Sequence, residues 1–241
     1  MPELPIVAMY KRFVDETSLD QTIVKVDVED ERLLECSLQT LQEATLQRQF
    51  THTTRIGKFI FLHTDAGKVI KLHFGMTGKP AYFNSLEAAP RFTRVTFSFA
   101  EGGHFGFVNI RKFGRIDVDD SVEAYQKRRK LGQDALDISQ ADFVKVLQGR
   151  NTLLKAALLQ QQHFAGVGNW IADEILFQAG LRPDVRLPEL SEAHLKQVHG
   201  IMHDILNTAI LHEADHARFP DHFVVQRRWG DGICPQTGDP L

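Results

Sequence analysis

The chain is poor in cysteine, in long apolar runs and in surplus charge, and each shortage excludes something. Two cysteines, Cys36 and Cys234, in 241 residues cannot build a disulfide framework. No apolar stretch approaches the length needed to span a bilayer, so no membrane partner is expected. The first residues lack the basic segment and apolar core of a secretory signal, which makes a cytoplasmic location the expectation. The formal charge is only −3, with 21 basic against 20 acidic residues up to position 150 and 7 against 11 beyond it. A polyanionic partner would therefore have to be held by a local cluster of cations and not by bulk charge.

What is present is an ordinary globular composition, 43% hydrophobic and 24% charged, long enough for one large domain or two small ones. After a helix-compatible stretch from Pro5 to Asp15, the first half breaks into short strand-like runs: 22–28, 59–63, 69–74, 95–99 and 104–108. Glu101-Gly102-Gly103 reads as a hairpin turn between the last two. Close spacing of such runs predicts a β-sandwich or barrel. The character changes near residue 125, where Tyr125–Asp134 is polar and basic and reads as a linker. The second half is helical: 142–149, 151–162, 169–179 with Gly180 just past its end, and a long helix capped by Ser191 and reaching about His212. This gives an α+β chain with an N-terminal β domain over 1–124, a linker with a short helix over 125–150, and a helical domain over 151–241. A groove between the two domains is the expected place for a large ligand.

Two segments carry chemistry. The chain opens Met1-Pro2-Glu3-Leu4-Pro5. Removal of Met1, which a small second residue permits, leaves Pro2 with an unblocked secondary amine that titrates near about pH 8. Such an amine can attack an aldehyde or a sugar C1′ and form an iminium, an electron sink, while Glu3 beside it shuttles a proton. The second segment is Gly166-Val167-Gly168-Asn169. Its glycines allow close backbone approach, and it opens a helix whose first N–H groups favour an anion. Asn169 is expected either to cap that helix or to offer its amide to a phosphate.

Pro2-Glu3-Leu4-Pro5, Arg55-Ile56-Gly57-Lys58-Phe59, Leu72-His73-Phe74-Gly75-Met76-Thr77-Gly78, Ile110-Arg111-Lys112-Phe113-Gly114 and the run from Gly166 through Gly180 occur in one order across residues 2 to 180. In that order and spacing the chain resembles the formamidopyrimidine-DNA glycosylase and endonuclease VIII family. The resemblance implies an N-terminal β-sandwich with a flanking helix, followed by a helical domain with a helix–two-turn–helix motif. It implies a base-excision-repair glycosylase that removes oxidised bases and cuts the abasic site by β,δ-elimination. The partner would be double-stranded DNA carrying an oxidised base or an abasic site, in the cytoplasm at the nucleoid, with the protein a monomer. Pro2 and Glu3 are then the catalytic pair, with Lys58 against the phosphate next to the lesion. Met76, Arg111 and Phe113 would fill the gap left when the damaged nucleotide is extruded. Lys155, Gly168 and Asn169 would hold DNA phosphate. Arg55, Lys58, Lys71, Arg111, Lys112, Arg115 and Lys155 would make the positive groove that net charge hides.

The chain departs from the family pattern in two places. Ile6 and Ala8 stand where acidic residues are usual. At the C-terminal end Cys234 has Thr237 where a second cysteine belongs, so no zinc, and no cofactor of any kind, is expected. The arginine that the zinc hairpin brings to the DNA has no counterpart, and Arg227 and Arg228 are the residues placed to replace it in part. Residues 212–225 are the expected loop over the flipped base. These departures keep two alternatives open: a lesion-binding protein without turnover, and a relative that no longer touches DNA.

Overall fold

The computed structural model describes residues 2–228 and 232–240. By their internal contacts these fall into two compact units, one made of residues 1–2 and 7–130, the other of residues 3–6 and 131–241.

The first unit is a β-sandwich. Helix α1 (Leu4–Thr17) leads into β1 (Ile23–Val28), α2 (Leu38–Thr45), β2 (Phe50–Ile56), β3 (Phe59–Thr64), β4 (Val69–His73), β5 (Gly78–Phe83), β6 (Thr93–Phe99), β7 (His104–Asn109), β8 (Arg115–Asp119) and α3 (Val122–Arg129). Strands β1-β6-β7-β5 form one antiparallel sheet and β2-β3-β4-β8 the other. Inward positions such as Phe97, Phe105 and Phe107 of the first sheet and Phe50, Ile60, Leu62 and Leu72 of the second share one apolar core, with Phe50 edge-on to Phe97 at 5.6 Å. Sequence periodicity left sandwich and barrel open; two separate four-stranded sheets settle it.

Helix α3 occupies the start of the stretch expected as a linker. Ser121 caps it by accepting from Ala124 N at 3.1 Å, and Lys130 ends it in a left-handed conformation. The helix is retained because Tyr125 is buried on the outer face of the second sheet, against Phe59 and Phe61. The basic run around it is spent internally. Arg128 bridges Asp117 and Asp119, and Arg129 pairs with Glu35.

The second unit holds β9 (Gln133–Asp134), α4 (Gln140–Leu147), α5 (Leu154–Leu159), β10 (Phe164–Ala165), α6 (Asn169–Gln178) and α7 (Glu192–Leu211). Ser191 caps α7 as expected. The helix expected over 151–162 is shorter at both ends. Residues 152 and 153 are held extended against 185–187, with Leu187 N donating to Thr152 O and Leu154 N, at the helix start, to Val185 O. Backbone groups tied sideways in this way cannot join a helical ladder. Leu4 lies fully buried in this unit's core, with Phe143, Phe164, Ile171 and Met202. Phe219, Phe223 and Val225, in the segment expected to close over the lesion, are buried in the same core. Among the described residues no helix is long and apolar enough to cross a membrane.

Candidate active site

The first turn of α6 is where the sequence expectations meet. Gly168 is the residue before the helix and Asn169 its first residue, so Asn169 is not the cap that the sequence allowed. The first N–H groups are satisfied by an acid 167 positions away. Trp170 N donates to Glu3 Oε1 at 3.1 Å and Ile171 N to Glu3 Oε2 at 3.3 Å. Glu3 is buried, and Leu4 N donates to Gly166 O at 3.2 Å, which fixes the backbone on both sides of the contact. A helix N-terminus carries a partial positive charge, so this is a favourable place for a carboxylate. The close approach that the glycines permit is therefore to Glu3. A Cβ on Gly168 would lie 2.1 Å from Glu3 Cδ. Gly168 has an ordinary φ of −125°, so what it supplies is room and not backbone freedom. Pro2, immediately before Glu3, is buried; Met1 lies outside the described residues.

The exposed face of α6 carries a second cluster. Asn169 is exposed. One turn on, on the same face, Asp173 accepts from Lys155 Nζ at 2.5 Å on one oxygen and from Arg228 at 2.6 Å on the other. Lys155 is thus paired and not an isolated cation. Glu174 is buried beside it and accepts from Val224 N at 3.1 Å and Val225 N at 2.9 Å, which pins the segment before Arg228 onto the helix. Burial raises the Glu174 carboxyl above the usual range, against the pull of Gln178 and these two amides.

In the β unit the three expected wedge residues are all exposed at loop tips. Met76 is 42% and Phe113 49% exposed, and the Arg111 guanidinium sits over the Phe113 ring at 4.9 Å. Neither apolar side chain belongs to the core. Sequence reasoning missed the residue that joins their loops, Asn109. It is fully buried, donates from Nδ2 to Phe74 O at 3.0 Å, and accepts on Oδ1 from Phe113 N at 3.1 Å and Gly114 N at 3.4 Å. The loops nearly touch: a Cβ on Gly75, whose φ is +62°, would lie 2.5 Å from the carbonyl carbon of Phe113.

Lys58 lies in the tight turn between β2 and β3 and is 6% exposed, unlike a solvated surface lysine. Its charge is felt by His73 at the end of β4. Burial, helped by Lys71 and Lys58, pushes that imidazole down to about 4, so it is neutral at physiological pH. His73 stands in a quoted motif, yet only the fold reveals its environment. Lys71, expected in a positive groove, is 1% exposed and bound at 2.7 Å to the partly exposed Glu35, so its charge is met within the protein. Lys112 is likewise paired with Asp30 at 2.7 Å.

At the C-terminal end, residues 233–240 close a small turn, with Cys234 N donating to Asp239 O at 2.7 Å and Gly238 N to Cys234 O at 2.9 Å. The Thr237 hydroxyl and nearby amides pull the Cys234 thiol below its usual range. Among the described residues no group of three or more His, Cys, Asp or Glu side chains is arranged to hold a metal ion.

Comparison with known proteins finds relatives across most of the chain. A profile of the formamidopyrimidine-DNA glycosylase N-terminal domain matches residues 1–116, and a profile of the same proteins' H2TH domain matches residues 131–221. A formamidopyrimidine-DNA glycosylase of Moorella thermoacetica is 30% identical, with 100% of this chain and 93% of the relative covered. One from Arabidopsis thaliana is 26% identical over 95% of this chain and 63% of its own length. The solved Lactococcus lactis Fpg in complex with abasic-site DNA superposes with a TM-score of 0.82 at 24% identity, covering 87% of this chain and 80% of that one.

Proposed function

Since the chain belongs to the formamidopyrimidine-DNA glycosylase family, we propose that it is a base-excision-repair DNA glycosylase with abasic-site lyase activity, acting on oxidised bases in duplex DNA at the nucleoid. The observation that carries this reading is the Glu3 carboxylate, fastened by Trp170 N and Ile171 N at the start of α6 and directly following Pro2. A carboxylate held by two backbone donors has a fixed orientation, which suits a group that gives and takes a proton. The relatives named above support the activity by their names, and the solved neighbour supports the fold.

In this reading the Pro2 nitrogen, unblocked by loss of Met1, attacks C1′ of an extruded nucleotide. The C1′–N bond to the base breaks, and the base leaves with a proton. Glu3 gives and takes protons at the sugar as the ring opens to the iminium. The iminium acidifies C2′, and loss of that proton expels the 3′ phosphate by β-elimination; δ-elimination then expels the 5′ phosphate. Met76 and Phe113 fill the gap, and Arg111 meets the orphaned base. Lys58, Lys155 and Asn169 hold phosphate, and Gly168 makes room for Glu3.

Borohydride trapping tests the reading. Protein lacking Met1, mixed with an 8-oxoguanine or abasic-site duplex, is expected to give a covalent protein–DNA adduct. Protein with a residue still attached ahead of Pro2 is expected to give none. Absence of an adduct from the processed protein overturns the enzyme reading. Ile6 and Thr237, which stand in place of an acid and a cysteine, favour a second reading: lesion binding without turnover. A gel shift on abasic DNA with no cleavage of the same duplex would establish it.

A further inference from the structure

The cluster on α6 contains a cation that the sequence motifs do not supply. Asp173 is shared by Lys155, on α5, and Arg228, on the segment beyond α7, one oxygen to each. The three side chains remain partly open, at 30% exposure for Lys155, 23% for Asp173 and 37% for Arg228. Two cations around one carboxylate leave a net positive charge. Their remaining N–H donors have room for a second acceptor. Asn169, one turn before Asp173, lies on the same helix face and is exposed. The position of Arg228 is built in, because buried Glu174 fastens the amides of Val224 and Val225 just ahead of it. Its neighbour Arg227 is turned back toward Asp221, donating to that residue's carbonyl at 3.3 Å. Of the two arginines only Arg228 joins the cluster.

We propose that Lys155 and Arg228 form one anion site, positioned by Asp173, that holds a single phosphate of the DNA backbone, and that Arg228 is a DNA-binding residue of this chain. The inference rests on the DNA-repair reading above. Asp173 is a positioning residue: it spaces the cations in the absence of DNA and reduces the local charge from two to one. Removing Arg228 therefore leaves a neutral Lys155–Asp173 pair, and removing the Asp173 charge leaves two unopposed cations. The two substitutions should act in opposite directions, which a purely structural clasp would not produce.

The experiment is fluorescence anisotropy on a duplex with a non-cleavable abasic analogue, between 50 and 200 mM salt, using the full chain. Arg228→Gln is expected to weaken binding about tenfold at the low-salt end and to make the slope of log K against log salt shallower by about 0.9. Asp173→Asn is expected to tighten low-salt binding and steepen the slope. Thermal unfolding of each variant controls for folding, and both side chains lie at the surface. Unchanged slopes in both variants, while the wild type binds and gives the borohydride adduct, overturn this inference and leave the repair reading standing. Weaker binding by Asp173→Asn, with its fold intact, means that Asp173 only fastens the segment and also overturns it. Failure of the wild type to bind the duplex overturns both.

Discussion

A buried carboxylate is tolerable only while its oxygens have donors, and at Glu3 those donors include two amides that α6 would otherwise leave unpaired. Acid and helix each satisfy the other. The contact spans 167 sequence positions, so neither segment reveals it alone, although Pro2-Glu3 and Gly166–Asn169 were each legible as reactive or special. Gly168 makes the contact a matter of space. Its φ suits any residue, yet an added Cβ would stand 2.1 Å from Glu3 Cδ. Gly168→Ala should therefore displace the carboxylate, cost about 1–3 kcal/mol of stability, and slow single-turnover base excision by about 10²-fold. In a Glu3→Ala background the clash has no partner, and the same alanine should cost little. Urea midpoints of the two single variants and the double variant measure the coupling. Additive costs would mean that Gly168 serves something other than room for Glu3.

At the scale of elements, the β4–β5 and β7–β8 loops behave as one unit because Asn109, at the end of β7, holds both. The amide nitrogen reaches one loop through Phe74 O, and the oxygen reaches the other through the N–H groups of Phe113 and Gly114. Asn109→Ala takes the acceptor from the Phe113 and Gly114 amides and one of two donors from Phe74 O, which keeps Gly78 N, and should cost about 1–3 kcal/mol. The released loop should also become a protease site: limited trypsinolysis should cut after Arg111 or Lys112 faster than in the wild type, well below the unfolding midpoint. Resistance equal to that of the wild type would place the rigidity elsewhere. The exposure of Met76 and Phe113 was readable, since each stands beside glycines and outside the alternating pattern of a strand. The staple was not, because one asparagine at a strand end has no periodicity to announce it. Helix α3 was masked by its basic run, whose charges find Asp117, Asp119 and Glu35 only after folding. Residues 152 and 153 looked helical by apolar spacing but pair with 185–187 instead, a tertiary choice that local pattern does not encode.

For the whole molecule the question is how a chain of net charge −3 engages a polyanion. The sequence offered seven cations for a positive groove, but folding withdraws several. Lys71 is buried against Glu35 and Lys112 pairs with Asp30, while Arg55 and Arg115 turn donors to backbone carbonyls, Arg55 to that of Gly57 and Arg115 to those of Lys112 and Gly114. Lys155 shares Asp173 with Arg228, so that cluster counts as one net charge. Lys58 and this cluster are then the cations set against phosphate in the proposed mode of binding, with Arg111 turned to the orphaned base. Each neutralised phosphate releases counterions and contributes about −0.9 to the slope of log K against log salt. Two give a slope near about −1.8, or roughly a 12-fold loss of affinity between 50 and 200 mM salt; seven would give about −6.3 and a loss of several thousandfold. Anisotropy titrations on an abasic-analogue duplex distinguish these cases directly. A shallow slope would mean that this protein relies on wedge insertion and shape for its hold on DNA more than on charge. A slope steeper than about −5 would show that ion pairs such as Lys112–Asp30 open on contact with DNA and lend their cations to it.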